Sequence, residues 1–310
     1  YTIGFTFFRL AELASLFELH CIECATAALA AFFLVKWNPS SWYLVAIATM
    51  LTFVYICDDY LLDPLPPLDT LNDMVVVITG ANGGIGFETA KTLVSGSNAI
   101  TVIMACRSMK KCNDAADRIV SADNKIDKKQ VIPMQMDLSD FDSVQTFAHE
   151  INQKVGGRKV DVLFNNAGYG PPEVEPVNKY GLDPSFTSMH ISHHLLTELL
   201  IEQNPKLRVV ATSSGTHQLC SYMHPSCIDE EYLAKGIYSP QSKQKYFTAK
   251  LANVMHVKEI PIHHPSSIAI AIDLGWVGTS IQPWMSGQVT PTSLGWMRSA
   301  EVGIKPVLTA

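Results

Sequence analysis

The chain has 310 residues, room for one large α/β domain with an appendage, and only 17% of them are charged. A net charge of −6 without any basic stripe argues against a nucleic-acid footprint. Seven cysteines, an odd number at irregular spacing, predict no disulfide framework.

The apolar excess sits at the N-terminus. Residues 22–35 are apolar except for Glu23 and Thr26, and residues 42–57 carry no charge. Each run is shorter than the ~20 residues that span a bilayer core, but Leu16, Phe17, Leu19, Leu61 and Leu62 extend them. Trp37, Trp42, Tyr43, Tyr55 and Tyr60 stand near the run ends, where an interfacial aromatic belt belongs. The two runs read as a helical hairpin in a membrane, in preference to a pair of buried core helices. Residues 5–19, which keep Arg9, Glu12 and Glu18 among apolar neighbours, read as an interfacial amphipathic helix. A lone Lys36 in the turn does not set the orientation. His20, Cys21 and Cys24 have a superficial metal-ligand spacing but no second pair, so no metal is assigned. Asp63-Pro64-Leu65-Pro66-Pro67 is a stiff linker, which makes 1–66 the membrane-anchoring part and 67–310 the nucleotide-binding domain.

Beyond residue 70, β-rich runs at 74–79, 100–105, 131–135, 160–164, 206–212 and 267–272 alternate with helical patterns at 86–95, 109–122, 139–154, 185–203 and 242–259. Such alternation predicts right-handed βαβ crossovers and a doubly wound parallel sheet, an α/β Rossmann-like fold behind an N-terminal helical membrane anchor.

The first strand runs into Thr79-Gly80-Ala81-Asn82-Gly83-Gly84-Ile85-Gly86 and then into a helix. The glycines let the backbone approach a pyrophosphate, and the helix N-terminus offers unpaired N–H groups to it. The second strand ends at Cys106-Arg107, with Lys110 and Lys111 nearby. A carboxylate there would suit ribose hydroxyls, whereas an arginine suits a 2′-phosphate or is merely solvated. Asn165-Asn166-Ala167-Gly168 closes the fourth strand, where a carboxyl-edge loop passes near a cofactor. Tyr246 and Lys250, four apart, share one helix face. An ammonium there stabilises phenolate and brings a phenol of pKa near ~10 into working range.

These motifs, with Asp137-Leu138, Thr212-Ser213-Ser214 and Gly275-Trp276-Val277-Gly278-Thr279, stand in the order of the short-chain dehydrogenase/reductase family. The chain resembles the family's membrane-associated, retinol-dehydrogenase-like branch from about residue 70 onward. The resemblance implies Ser214, Tyr246 and Lys250 as catalytic residues, with Ser213 the fallback for Ser214. It implies cofactor contacts from Thr79, Gly80, Asn82, Gly83, Gly84, Ile85, Gly86, Arg107, Asp137, Leu138, Asn165, Ala167, Gly168, Tyr246, Lys250, Gly275, Val277 and Thr279. Asp137 is either the adenine contact or a solvated residue beside a helix N-cap at Ser139. NADP(H) is the expected cofactor, with NAD(H) the alternative. The implied reaction moves hydride between nicotinamide and an alcohol/carbonyl pair of a lipophilic substrate at a membrane of the endoplasmic reticulum or another organelle.

Two positions depart from the family pattern. Met189 stands where the family has an asparagine that takes part in a helix kink and in the water relay to the lysine. A thioether cannot replace an amide in a hydrogen-bonded chain, and Ser188, His190, Ser192 and His193 are the available substitutes. Leu274 replaces a proline before Gly275. His190, His193, His194, His263 and His264 show no carboxylate or cysteine at metal spacing and read as core or surface histidines. The stretch between Ser214 and Tyr246, with Tyr222, Cys227, Glu230 and Glu231, is expected to cover part of the substrate cleft. The last residues, 299–310, resemble a helix that in the family precedes one more strand, so the domain is expected to lack its final strand. Met189 and the paired apolar runs motivate a second reading, a weak or inactive family member serving as an accessory subunit of a membrane complex. Homodimers and membrane-complex partners both fit the resemblance.

Overall fold

The computed structural model describes residues 68–71, 73–97, 99–172, 175–220, 242–275, 277–279, 281 and 299–310, all within one compact unit, Pro64–Ala310. The two apolar runs, the Pro-rich linker, the Cys21–Cys24 pair and the interval holding Tyr222, Cys227, Glu230 and Glu231 lie outside the described residues. Among the described residues, no helix is long and apolar enough to cross a membrane.

Six strands form the sheet: β1 (Val75–Thr79), β2 (Thr101–Cys106), β3 (Val131–Gln135), β4 (Val162–Asn165), β5 (Arg208–Thr212) and β6 (Ile268–Ile272). All pair in parallel, in the order β3-β2-β1-β4-β5-β6. Helices α1 (Gly84–Gly96), α2 (Met109–Ala122), α3 (Phe141–Lys154), α4 (Ser192–Gln203) and α5 (Ser242–His263) supply the crossovers, and short α6 (Ala300–Gly303) and α7 (Lys305–Thr309) close the described chain.

Strand periodicity splits the core into two layers. Val76, Ile78, Val102 and Met104 face one layer with the buried residues of α1 and α2. Val75, Val77, Ile103 and Ala105 face the other with those of α3 and α4. Central β1 and β2 are buried at every position, which is why they read as unbroken apolar runs. The strand order reverses between β1 and β4, so the glycine turn after β1 and the Asn165–Gly168 loop after β4 flank the crevice where doubly wound sheets hold ligands.

A disulfide joins Cys106, at the end of β2, to Cys112 in α2, with a Cα–Cα distance of 5.9 Å. The irregular cysteine spacing, read as no disulfide framework, does not single out this pair. The pairing arises because the strand-to-helix turn folds α2 back over the end of β2.

Candidate active site

The glycine turn is held by backbone geometry and by Thr79. Gly80 and Gly84 have φ of 69° and 55°, where a side chain is strained. A Cβ on Gly86 would lie 2.7 Å from Asn166 Nδ2 and 2.8 Å from the Gly80 carbonyl. The fully buried Thr79 hydroxyl accepts the N–H groups of Asn166 and Ala167, both at 2.9 Å, and meets His193 Nε2 at 2.9 Å. Asn166 Nδ2 returns a bond to the Thr79 carbonyl at 2.8 Å. Thr79 thus ties the two crevice loops together. Its hydroxyl oxygen is occupied by these bonds within the protein.

The cradle fits a dinucleotide. Gly83 caps α1 with no side-chain hydrogen bond, the first turn carries no carboxylate, and a Cβ at Gly83 would meet nothing within 4 Å. Among the described residues, no side chain caps the α1 N–H groups, which present a favourable dipole. Thr279 reaches this turn from the far side, 3.5 Å from where a Gly84 Cβ would stand. Exposed Arg107 forms no ion pair with any described residue. Asp137 Oδ1 accepts the Ser139 N–H and hydroxyl at 2.9 and 2.7 Å, while Asp140, not Ser139, caps α3. Asn165 donates to Thr197 Oγ1 at 3.0 Å, so its side chain serves the α4 interface. Its Oδ1 and Thr212 Oγ1, both buried at the strand ends, have no protein partner. The Leu138 carbonyl accepts from Ser192 Oγ at 2.6 Å. Ile85, Val277 and Leu274 all join the core; Leu274 fills that layer where a proline was expected. Gly275, with φ 67°, closes a turn onto Asp273 Oδ1 at 3.0 Å.

On the other side of the crevice, the three expected catalytic residues converge. Lys250 Nζ lies 5.4 Å from the Tyr246 ring centroid and donates to the Thr212 carbonyl at 3.0 Å. Burial lowers the Lys250 ammonium to about 8. Ser214 hydrogen-bonds Tyr246, whereas Ser213 is committed to the Lys250 carbonyl at 2.9 Å, so Ser214 is the serine facing the phenol. A Cβ on Gly168 would lie 3.8 Å from Lys250 Nζ and 3.6 Å from Met189 Sδ, which brings the β4 loop against this cluster.

A model of the short chain dehydrogenase family matches residues 74–222. The WW domain-containing oxidoreductase of Gallus gallus is 33% identical over 199 residues, 61% of this chain and 45% of that protein. Retinol dehydrogenase 12 of Homo sapiens is 34% identical over 193 residues, 60% of this chain and 55% of that protein. Over residues 74–222 the chain is similar to the short-chain dehydrogenase family. It spans about half the length of these curated relatives. The solved structure of a short-chain dehydrogenase from Sphingobium yanoikuyae in complex with NADPH superposes with a TM-score of 0.56 at 16% identity, over 76% of this chain and 83% of that one, a likeness of fold alone.

Burial dominates the electrostatics of this cluster. The phenol of Tyr246 is raised to about 12, first by burial and then by the charge of Asp273, with the Ser214 hydrogen bond opposing both. Lys250 Nζ, 5.4 Å from the phenol ring centroid, gives a hydrogen bond to the Thr212 carbonyl. Asp273 was not singled out from sequence, since its approach to Tyr246 depends on the turn after β6.

Met189 lies within a π-helical turn, Thr187–Ile191, immediately before α4. The kink is kept although the asparagine is not. The Met189 side chain, 1% exposed, packs in a cluster with Tyr246, Phe247 and Ala249. Its carbonyl, freed by the wide turn, is taken by His193 Nδ1 at 3.1 Å. Burial lowers His193 to about 4, so the ring is neutral and bridges Met189 to Thr79. His190 Nδ1 pairs with Asn253 Oδ1 at 3.1 Å, and Asn253 donates to the Thr212 carbonyl at 3.2 Å. Asn253 thus shares an acceptor with Lys250 and was missed by sequence reasoning; only its i+3 spacing from Lys250 hinted at it.

Two further polar pairs follow Gly168: Tyr169 donates to Glu175 at 2.9 Å, and Lys245 pairs with buried Asp183 at 2.9 Å. Burial raises both Tyr169 and Glu175. Neither pair carries a motif that sequence could have flagged.

Proposed function

We propose that the chain is a membrane-attached, NADP(H)-dependent oxidoreductase that interconverts an alcohol and a carbonyl on a lipophilic substrate. The carrying observation is the convergence of Ser214, Tyr246 and Lys250 beside the Gly168 loop, across the crevice from an open helix N-terminus. Gly80 to Gly86 and the α1 N–H groups would hold the pyrophosphate, Arg107 the 2′-phosphate, and Lys250 the nicotinamide ribose. When bound, the nicotinamide supplies or accepts the hydride.

The protein's own part is to hold and move one proton. Ser214 Oγ accepts from Thr216 Oγ1 at 3.0 Å and orients the Tyr246 hydroxyl. A phenol raised to about 12 is protonated at neutral pH, ready to give its proton to a carbonyl oxygen as that oxygen takes up charge. Carbonyl reduction therefore suits this arrangement better than alcohol oxidation. The membrane part of the proposal rests on the two apolar runs in the sequence. NADPH and NADH oxidation with a panel of lipophilic ketones and aldehydes tests the reading. NADPH-selective consumption with matching alcohol product is expected; NADPH binding with no consumption across the panel would refute it.

A second reading, an inactive accessory subunit that keeps a cofactor, is favoured by the apolar Met189 side chain packed with Tyr246 where the relay is expected. Met189→Asn separates the two. A large gain from a near-zero baseline supports the accessory reading, and brisk wild-type turnover with little gain supports the enzyme.

A further inference from the structure

The helices behind the crevice bring together three side chains that the proposed reaction does not use. His194 and Glu198 lie four residues apart on α4 and so share a face. His256 meets them from α5, and one ligand atom from each of the three lies within 4.8 Å of the others. It is the one such group among the described residues. The His194 and His256 rings stand edge to face, with centroids 4.3 Å apart. His256 is only 8% exposed and its Nε2 is 3.9 Å from Glu198 Oε1, too far for a hydrogen bond. That buried nitrogen has no other protein partner. The second carboxylate oxygen, Oε2, is held by His264 Nε2 at 2.9 Å.

We propose that His194, Glu198 and His256 bind a divalent transition metal of the zinc class, with His264 orienting the carboxylate and water completing the shell. Two imidazole nitrogens and one carboxylate oxygen suit zinc, cobalt or nickel, whereas calcium and magnesium take oxygen ligands. A His₂Glu set with an open position is an established zinc arrangement, with bonds of about 2.0–2.1 Å. Exposed His194 and the 35%-exposed Glu198 have the freedom to close onto a metal placed by the buried His256. The His264–Glu198 bond is the outer-shell contact that such a site needs. A metal would give the orphaned His256 nitrogen a partner. His256 lies six residues past Lys250, roughly 9 Å along the helix. The metal would therefore pin α5, which carries Tyr246 and Lys250, against α4 without touching the reacting atoms.

The test is cobalt titration of the full chain after EDTA treatment and dialysis, read by visible absorption, followed by zinc competition and thermal unfolding. The expected result is one cobalt per chain with d–d bands and no thiolate charge-transfer band, displaced by zinc. Zinc should raise Tm in wild type, as any ligand of the native state does. His194→Ala and Glu198→Gln, both at sites open enough to spare the fold, should weaken binding at least tenfold and abolish the Tm rise. His263→Gln, at an exposed histidine paired with Glu259, should bind like wild type. No cobalt bands at micromolar metal, a thiolate band, or unchanged binding in His194→Ala and Glu198→Gln would each overturn the proposal.

Discussion

The two sides of the crevice are built by different means. The cofactor side is a backbone structure: positive-φ glycines, an uncapped helix start, and one threonine oxygen that accepts two loop N–H groups. The proton side consists of buried titratable groups, Lys250, Tyr246 and His193, whose properties depend on what neighbouring elements bring to them. A backbone cradle is determined by a local motif. A set of pKa values is determined by packing: burial comes first in raising Tyr246, and Asp273 adds to it.

The largest effect should come from breaking the cradle at Thr79. Thr79→Val keeps the volume but leaves the Asn166 and Ala167 N–H groups without their acceptor. A loss of about 2–5 kcal/mol in denaturant unfolding is expected, with NADPH binding abolished. Stability within about 0.5 kcal/mol of wild type would show that the loops hold together without this oxygen.

Acid should strike the proton side next. Burial lowers His190 and His193 to about 4 from an ordinary 6.5, so the unfolded chain binds more protons between those values and stability rises with pH across that window. The contribution is fully present above about 6.5 and is lost as pH falls toward 4. Unfolding of EDTA-treated protein at pH 5 should show a deficit of roughly 3–4 kcal/mol relative to pH 7, about 2 from each ring. A flat profile would mean that these rings are protonated in the fold.

The smallest effect sharpens the cradle. Arg107→Ala should weaken NADPH about tenfold or more, the worth of a charged hydrogen bond, and leave NADH within about threefold. Equal losses for both cofactors would remove Arg107 from the 2′-phosphate site.

The six strands were legible because central strands buried on both faces read as apolar runs, and the cradle was legible because its glycines are consecutive in the chain. What escaped depends on contacts between distant segments. His193 reaching Thr79 spans 114 positions. His194 and Glu198 meeting His256 depends on the rotational phase of two packed helices, which spacing within one helix does not reveal. The π-turn at Thr187–Ile191 breaks the 3.6-residue period that a sequence pattern assumes, so the Met189 carbonyl could not be placed from the pattern.

The most direct measurement compares NADPH oxidation by wild type and Tyr246→Phe over the same panel of lipophilic carbonyls, with NADPH affinity measured alongside. The account predicts NADPH affinity within about threefold of wild type and turnover lower by roughly 10²–10⁴, since only the proton donor is removed. Full turnover by Tyr246→Phe would contradict it.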